Sequence, residues 1–255
     1  MKIISEVGSN FRNEDDLMSA IGIARRCNAD YVKFQLFSER DLYGVGSEAY
    51  NFDPRMLKRM RALADEAKIG LMCSAFSPGG YEIVNEYVDI HKIASCELSA
   101  IDILETVNSF KKPVIFSNGG STLEETIELS KHLKDCKRIA MYCVGDYPAK
   151  VFHFDELYKF INEMSKTCDI GFSDHTIDVL NIPKMVVNCG VKWIEKHVNF
   201  FDVKGPDGPH SLNASEFAMM CSWLKWGKLI LPDHQMKHHR RYYSEKLKRW
   251  VRPVP

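Results

Sequence analysis

Several features that would each mark a class of protein are missing from this sequence. It contains no apolar run of about 18 residues, the length needed to cross a bilayer. Its first residues, MKIISEVGSN, have neither the apolar core nor the small-residue cleavage site of an export signal. It has no excess of charge, because 34 Lys plus Arg stand against 34 Asp plus Glu; no global field draws it to nucleic acid or to an anionic membrane. It has no C-x-x-C pair: the cysteines at 27, 73, 96, 136, 143, 168, 189 and 221 lie singly, several inside apolar runs such as LMCSAF and AMYCVG. It has no G-x-G-x-x-G after the first apolar run, since EVGSNF supplies a single glycine. No Pro/Gly/Ser-rich linker interrupts it. These absences predict a cytosolic protein with reduced thiols that act as small buried hydrophobes, and a small-molecule partner with no nucleic acid and no membrane involved.

What the sequence does contain is an alternation. Short apolar runs lie at 2–7, 31–36, 70–75, 90–95, 113–118, 138–144, 169–174 and 191–197. Between them come stretches with helical spacing and start signals, such as NEDDLMSAIGIARRC, and STLEETIELSKHLK, where Ser121-Thr122 precedes Glu124-Glu125 in the manner of a capping box. Further helices are predicted near 54–68, 78–87, 99–110, 153–166, 178–189 and 214–228. Eight strand–helix units with such short strands point to a parallel sheet closed into a (β/α)8 TIM barrel over residues 1–230, an open doubly wound sheet being the runner-up. Residues 231–255 read as a basic C-terminal tail of solvated helix and coil, MKHHRRYYSEKLKRWVRPVP carrying no ninth strand pattern.

A barrel of this kind builds its active site at the C-terminal ends of its strands. Those ends carry Glu6; Lys33 and Gln35; Ser74; Lys92, Ser95 and Glu97; Ser117 and Asn118; Asp146 and Tyr147; Asp174 and His175; Glu195 and His197. An isolated lysine in a strand usually faces solvent. Inside a closed parallel barrel that outlet is gone, because both faces of every strand are covered, and a buried ammonium needs an anion. Lys33 and Lys92 with Ser74, Ser95 and Ser117 therefore suggest a site for a phosphate and a carboxylate together. His175 and His197 end neighbouring strands and can present two imidazoles to one divalent cation, with Glu6 across the barrel closure. Pattern alone leaves packed core histidines as an equal reading, and Mn²⁺, Fe²⁺, Co²⁺ or Zn²⁺ all fit two nitrogens completed by oxygens.

At these residues the chain resembles the sialic acid synthase family, enzymes that condense phosphoenolpyruvate with an amino-sugar aldehyde. The similarity runs over about residues 3–212 and is carried by DYVKFQLF, HKIASCEL, VIFSNGGSTLEE, YPA, GFSDHT, VKWIEKH and the GPD…SL segment. The resemblance implies that His175 and His197 hold the metal, usually Mn²⁺, with Mg²⁺ or Co²⁺ as alternatives. It implies that Lys33, Ser74, Lys92, Ser95 and Ser173 hold phosphoenolpyruvate, that Gln35, Tyr147 and Asp207 surround the aldose or amino-sugar acceptor, and that the acidic residues Glu6 and Glu97 line the metal and the reacting sugar.

Three departures stand beside the resemblance. The family's Asn-His after the first strand is Asn10-Phe11 here, and the Asn expected before YP is replaced by Gly145-Asp146, an added carboxylate expected near the substrates. Family members also carry a small C-terminal antifreeze-like domain that lends an Arg to the partner subunit's site. With Pro255 as the last residue, the expectation is a possible homo-oligomer whose acceptor either needs no such contact or meets Arg240 or Arg241 of the tail. A keto-acid aldolase using Lys33 or Lys92 as a Schiff base and a catalytically silent sugar-phosphate-binding subunit are the alternative readings.

Overall fold

The computed structural model describes residues 1–151, 153–205 and 207–227, together with short strands at 242–244 and 249–251. Strands and helices alternate along the chain: β1 (Lys2–Gly8), α1 (Glu14–Arg26), β2 (Tyr31–Leu36), α2 (Glu39–Tyr43), α3 (Met56–Ala67), β3 (Gly70–Ala75), α4 (Pro78–Asn85), β4 (Ile90–Ile93), α5 (Ile101–Ser109), β5 (Val114–Ser117), α6 (Leu123–Ser130), β6 (Arg138–Cys143), α7 (Phe154–Met164), β7 (Asp169–Asp174), α8 (Asn181–Asn188), β8 (Trp193–His197) and α9 (Ala214–Trp226). The eight strands pair in sequence order and close β8 onto β1, all parallel. This is the expected TIM barrel, and the open sheet is excluded by the β1–β8 pairing.

Local chemistry explains where the helices begin. Asn13 caps α1 by accepting from the Asp16 amide. Thr122 and Glu125 form a reciprocal capping box on α6, as do Asn213 and Glu216 on α9. Ser77 caps α4 with Pro78 in the first turn, where a missing N–H costs nothing. The short helix α2, capped by a Ser38–Asp41 box, is an element that the sequence reading does not anticipate.

Two apolar layers hold the barrel. Inside its lower half, Ile4, Met72, Ile90, Ile115, Ile139, Met141 and Trp193 form a closed plug. Outside it, a much larger cluster joins the outward faces of the strands to the helices. The plug is tight at Gly171, where a Cβ would sit 2.7 Å from Met141 Cγ and 3.1 Å from Trp193 Cβ, so only glycine fits without repacking. The upper half of the interior is polar, and the site lies there.

All eight cysteines are free. Cys27, Cys73, Cys136, Cys143 and Cys221 are buried as expected, whereas Cys96 is exposed and Cys168 and Cys189 are half-buried. Among the described residues no helix is long and apolar enough to cross a membrane. In the tail, Tyr242–Ser244 and Arg249–Val251 pair as antiparallel strands, where the sequence reading expected helix and coil; Arg240 and Arg241 lie outside the described residues.

Candidate active site

Strand alternation sends every second side chain into the barrel, and at the C-terminal ends these inward positions are polar. Glu6 on β1 pairs in register with Lys33 on one side and His197 on the other. Gln35 lies beside Ser74, Cys143 beside Ser173, and Ser173 beside Glu195. They open into a cavity of about 260 Å³ lined by Glu6, Lys33, Gln35, Lys92, Ala94, Ser95, Ser117, Cys143, Tyr147, Ser173, His175, Glu195, His197 and Asp207. A wider cleft of about 660 Å³ lies on the outer helical shell, lined mostly by apolar residues such as Met18, Ile21, Leu63 and Phe201 with Arg26 and Glu66, and it contains no lysine or histidine.

Lys33 Nζ is 2.8 Å from Glu6 Oε2, 3.3 Å from Ser74 Oγ and 3.7 Å from Glu195 Oε2. Lys92 Nζ donates to Ser117 Oγ at 2.8 Å and to the Ile93 carbonyl at 3.2 Å, and stands 3.8 Å from Glu195 Oε1, which also accepts from Ser173 Oγ at 2.9 Å. Burial penalises all four charges, and their mutual attraction decides which survive. Glu195 sits between two ammoniums and is held below the usual carboxylate range despite its burial. For Glu6 burial dominates over Lys33, and with Glu195 nearby its carboxyl is pushed up to about 8. Burial opposes the charge of Lys33 too, but Glu195 and Glu6 outweigh it and raise its pKa; Lys92, with burial and Lys33 against it, is lowered. At neutral pH Lys33 is held as an ammonium, Glu195 is firmly ionised and Glu6 is largely protonated, so the two lysines face a single carboxylate charge, an arrangement suited to an anion.

Across the cavity, the rings of His175 and His197 lie 5.4 Å apart. His175 Nδ1 is 2.8 Å from the Val144 carbonyl, which fixes the proton on that nitrogen and leaves Nε2 as the lone-pair side of the ring, with Ser173 Oγ at 3.4 Å and Cys143 Sγ at 3.6 Å. Burial holds the pKa of His175 down to about 4 and that of His197 well below the ordinary value, so both rings are neutral at pH 7, the state a metal needs. His197 Nδ1 is buried with no hydrogen-bond partner among the described residues. Tyr147 stacks on His175 with ring centroids 4.1 Å apart. These donors fit a divalent transition metal, which neutral imidazoles bind readily.

Behind the histidines lies a second arrangement. Asp174 and Lys196, the residues immediately before His175 and His197, point out of the barrel and form a fully buried ion pair at 2.8 Å. Lys196 also donates to the carbonyls of Thr176 and Asp178, and Asp174 Oδ1 accepts from the Thr176 amide. The pair thus ties β8 to the loop after β7 on the outer face while the imidazoles meet on the inner one.

A family model described as the NeuB family matches residues 44–234. The chain belongs to the NeuB family. It is 24% identical to the pseudaminic acid synthase of Helicobacter pylori over 96% of this chain and 82% of that protein. It is 27% identical to the N,N'-diacetyllegionaminic acid synthase of Campylobacter jejuni over 88% of this chain and 75% of that one. Among solved structures it resembles the N-acetylneuraminic acid synthetase of Leptospira borgpetersenii, crystallised in complex with citrate, with a TM-score of 0.76 and 25% identity over 92% of this chain and 89% of that one.

Within this NeuB-family barrel, the sequence-predicted residues fall into three groups. Glu6, Lys33, Gln35, Lys92, Ser95, Tyr147, Ser173, His175, His197 and Asp207 line one cavity. Ser74 is buried beneath it, reaching the cavity only through Lys33. Glu97 sits half-buried in the helical turn Ser95–Glu97 after β4 and does not line the cavity. Asp146, expected as an extra carboxylate near the substrates, is exposed and also outside the lining. Its neighbour explains the local sequence: a Cβ on Gly145 would lie 2.4 Å from the Gly119 carbonyl oxygen, so the loops after β5 and β6 touch main chain to main chain. Phe11, standing where the resemblance expects His, packs edge-on against Phe52 at 6.2 Å.

Sequence reasoning noted Glu195 at a strand end without assigning it a role, although it lies between both lysines. It missed the Asp174–Lys196 pair, whose only signal is a charge beside each histidine. It also missed His210, which has no periodic run around it and is brought to the site by the turn Gly208–His210.

Proposed function

We propose that this chain condenses phosphoenolpyruvate with an aldose or amino-sugar aldehyde to form a nonulosonic, sialic acid-like sugar acid, with release of phosphate, in a metal-dependent reaction. The observation that carries the reading is the pair of buried ammoniums, Lys33 and Lys92, in one cavity with the neutral imidazoles of His175 and His197. Relatives named as synthases of pseudaminic and legionaminic acid support it.

In this reading Lys92, Ser95, Ser173 and Lys33 take the phosphate and carboxylate of phosphoenolpyruvate, matching two anionic groups with ammoniums that need no reorganisation. Gln35, Tyr147 and Asp207 face the acceptor. His175 and His197 hold the divalent cation, Mn²⁺ by family resemblance, which supplies Lewis acidity to the acceptor's carbonyl oxygen. The enol carbon of phosphoenolpyruvate forms the new C–C bond to the aldehyde carbon. Water adds to the adjacent cationic carbon, the bond from that carbon to the phosphate oxygen breaks, and inorganic phosphate leaves. Glu6, its carboxyl at about 8, can deliver a proton to the new alkoxide and recover one from the attacking water. Burial raises the Glu97 carboxyl too, but its place off the lining gives it a supporting role in the turn that carries Ser95.

The division into a barrel at 1–230 and a basic tail at 231–255, a cytoplasmic location and self-association all belong to this proposal. An aldolase reading has one feature in its favour, the lowered pKa of Lys92, which suits an amine that must be neutral to attack a keto acid. Incubation with Mn²⁺, phosphoenolpyruvate and a panel of amino-sugar aldoses decides between them. The synthase releases phosphate only when acceptor and metal are both present, and His197→Ala abolishes the release with the fold intact. Borohydride trapping of a keto acid on Lys92, with no phosphate release from any acceptor, overturns it.

A further inference from the structure

One imidazole at the mouth of the barrel has no part in the chemistry above. His210 is buried, and neither of its ring nitrogens has a hydrogen-bond partner among the described residues. Native interiors keep few polar groups in that condition, and each one calls for a partner, whether an ordered water or a bound ion. One neighbour shares the deficit, and an acidic one stands beside it. His197 Nδ1 is likewise buried and unpartnered. The Asp207 carboxylate approaches both rings without closing a hydrogen bond, Oδ2 standing 4.0 Å from His197 Nδ1 and Oδ1 3.9 Å from His210 Nε2. One ligand atom from each of the three residues lies within 4.8 Å of the other two, and the His197 and His210 rings are 4.6 Å apart. These gaps are too wide for direct hydrogen bonds and wide enough to admit a cation that would satisfy both orphaned imidazoles at once, with the Asp207 carboxylate beside them.

We propose that His210 and Asp207 join His197 as ligands of the divalent cation, an inference that rests on the metal-dependent reading above. His175 faces the same space, its ring 5.4 Å from His197 and 6.0 Å from His210. A set with this many nitrogens favours Mn²⁺, Fe²⁺, Co²⁺ or Zn²⁺ over Mg²⁺, which prefers oxygen and retained water. The competing account is packing alone, since His210 also lies against Tyr147 with centroids 4.9 Å apart.

Co²⁺ binding to the metal-stripped protein separates the two accounts, read by its visible absorption and by competition with a chromophoric chelator. His210→Phe keeps a ring against Tyr147 and removes both nitrogens. We expect it to weaken Co²⁺ at least tenfold and to alter the visible band, and His210→Ala to behave the same way with partial recovery when free imidazole is added. If the Phe variant fails to fold, the Ala variant with and without imidazole carries the test. Unchanged affinity and spectrum in either folded variant, alongside loss of both in His197→Ala, overturns the proposal while leaving the metal reading standing. Failure of the unaltered protein to bind either Co²⁺ or Mn²⁺ removes the metal reading itself and this proposal with it.

Discussion

Replacing Lys196 by Met keeps most of the stem's volume and deletes its charge, and it tests how much the outer-face ion pair contributes. In the folded protein the Lys196 ammonium has three partners, Asp174 Oδ2 and the carbonyls of Thr176 and Asp178, and neither member of the pair reaches solvent. Removing it leaves the Asp174 carboxylate buried with only the neutral donors of Thr176, its amide at 2.9 Å and its hydroxyl, and no cation. Breaking a buried pair from one side costs about 3–5 kcal/mol, because a charge is left uncompensated. Against a urea slope of about 2–3 kcal/mol/M, a loss of about 4 kcal/mol lowers the unfolding midpoint by about 1.5 M. The measurement belongs on metal-stripped protein, so that ligand linkage does not mask it. Asp174→Asn combined with Lys196→Met removes both charges and should recover a large part of the loss. The penalty of Lys196→Met alone should also shrink as the pH falls, because burial raises the Asp174 pKa and lets the unpaired carboxylate take up a proton. A loss under about 1 kcal/mol, or a double variant no more stable than the single, would refute the argument that a desolvated charge is what the lysine compensates.

Three other expectations follow from the same coordinates. Lys92→Met should weaken phosphoenolpyruvate binding by about 1.5–3 kcal/mol, the range for hydrogen bonds to charged groups, and an unchanged affinity in a binding titration would remove Lys92 from the anion site. His91, buried between Tyr81 and Phe110, has its pKa held down to about 4 by burial, with Lys112 adding to the effect. Its unfolded form therefore binds the extra proton first as pH falls from about 6.5 to 4, and the ring destabilises the fold progressively across that window by up to about 3 kcal/mol; His91→Gln should flatten the stability–pH slope there, and an unaltered slope would contradict the assignment. Gly145→Ala drives a Cβ into the Gly119 carbonyl and should cost activity by moving Ser95 and Cys143, whose side chains border Gly119 at 2.9 and 3.0 Å from its own Cβ position; full phosphate release by that variant would show that the loops part without consequence.

The barrel was legible because each strand announces itself by a short apolar run and each helix by a cap, so local chemistry and global fold agree. The lysines were legible for a different reason. Lys33 and Lys92 sit at inward positions of runs that are otherwise apolar, and a closed parallel sheet leaves such a residue nowhere to go but the interior. What stayed hidden depends on turns. Glu97 was read as pointing into the mouth, but β4 ends at Ile93 and the helical turn at Ser95–Glu97 carries the carboxylate off the lining. His210 belongs to no strand, and only the fold of the segment after β8 brings it against Tyr147 and His197. Lys196 looked like an ordinary charge because its alternation partner, His197, drew the functional reading; its own role lies on the opposite face of the strand.

The contact between Gly119 and Gly145 has a bearing on how this cavity can change over time. Where the loops after β5 and β6 meet, behind the lining residues Ser95 and Cys143, main chain lies against main chain, with a carbonyl oxygen where a side chain would otherwise stand. A side chain added at either glycine has no room there, so the contact fixes the positions of Ser95 and Cys143. New acceptor preferences are therefore expected from side chains that do line the cavity, Gln35 and Tyr147. A library that randomises those two positions samples the adjustable part of the pocket, and one aimed at the glycines samples mostly impaired enzymes.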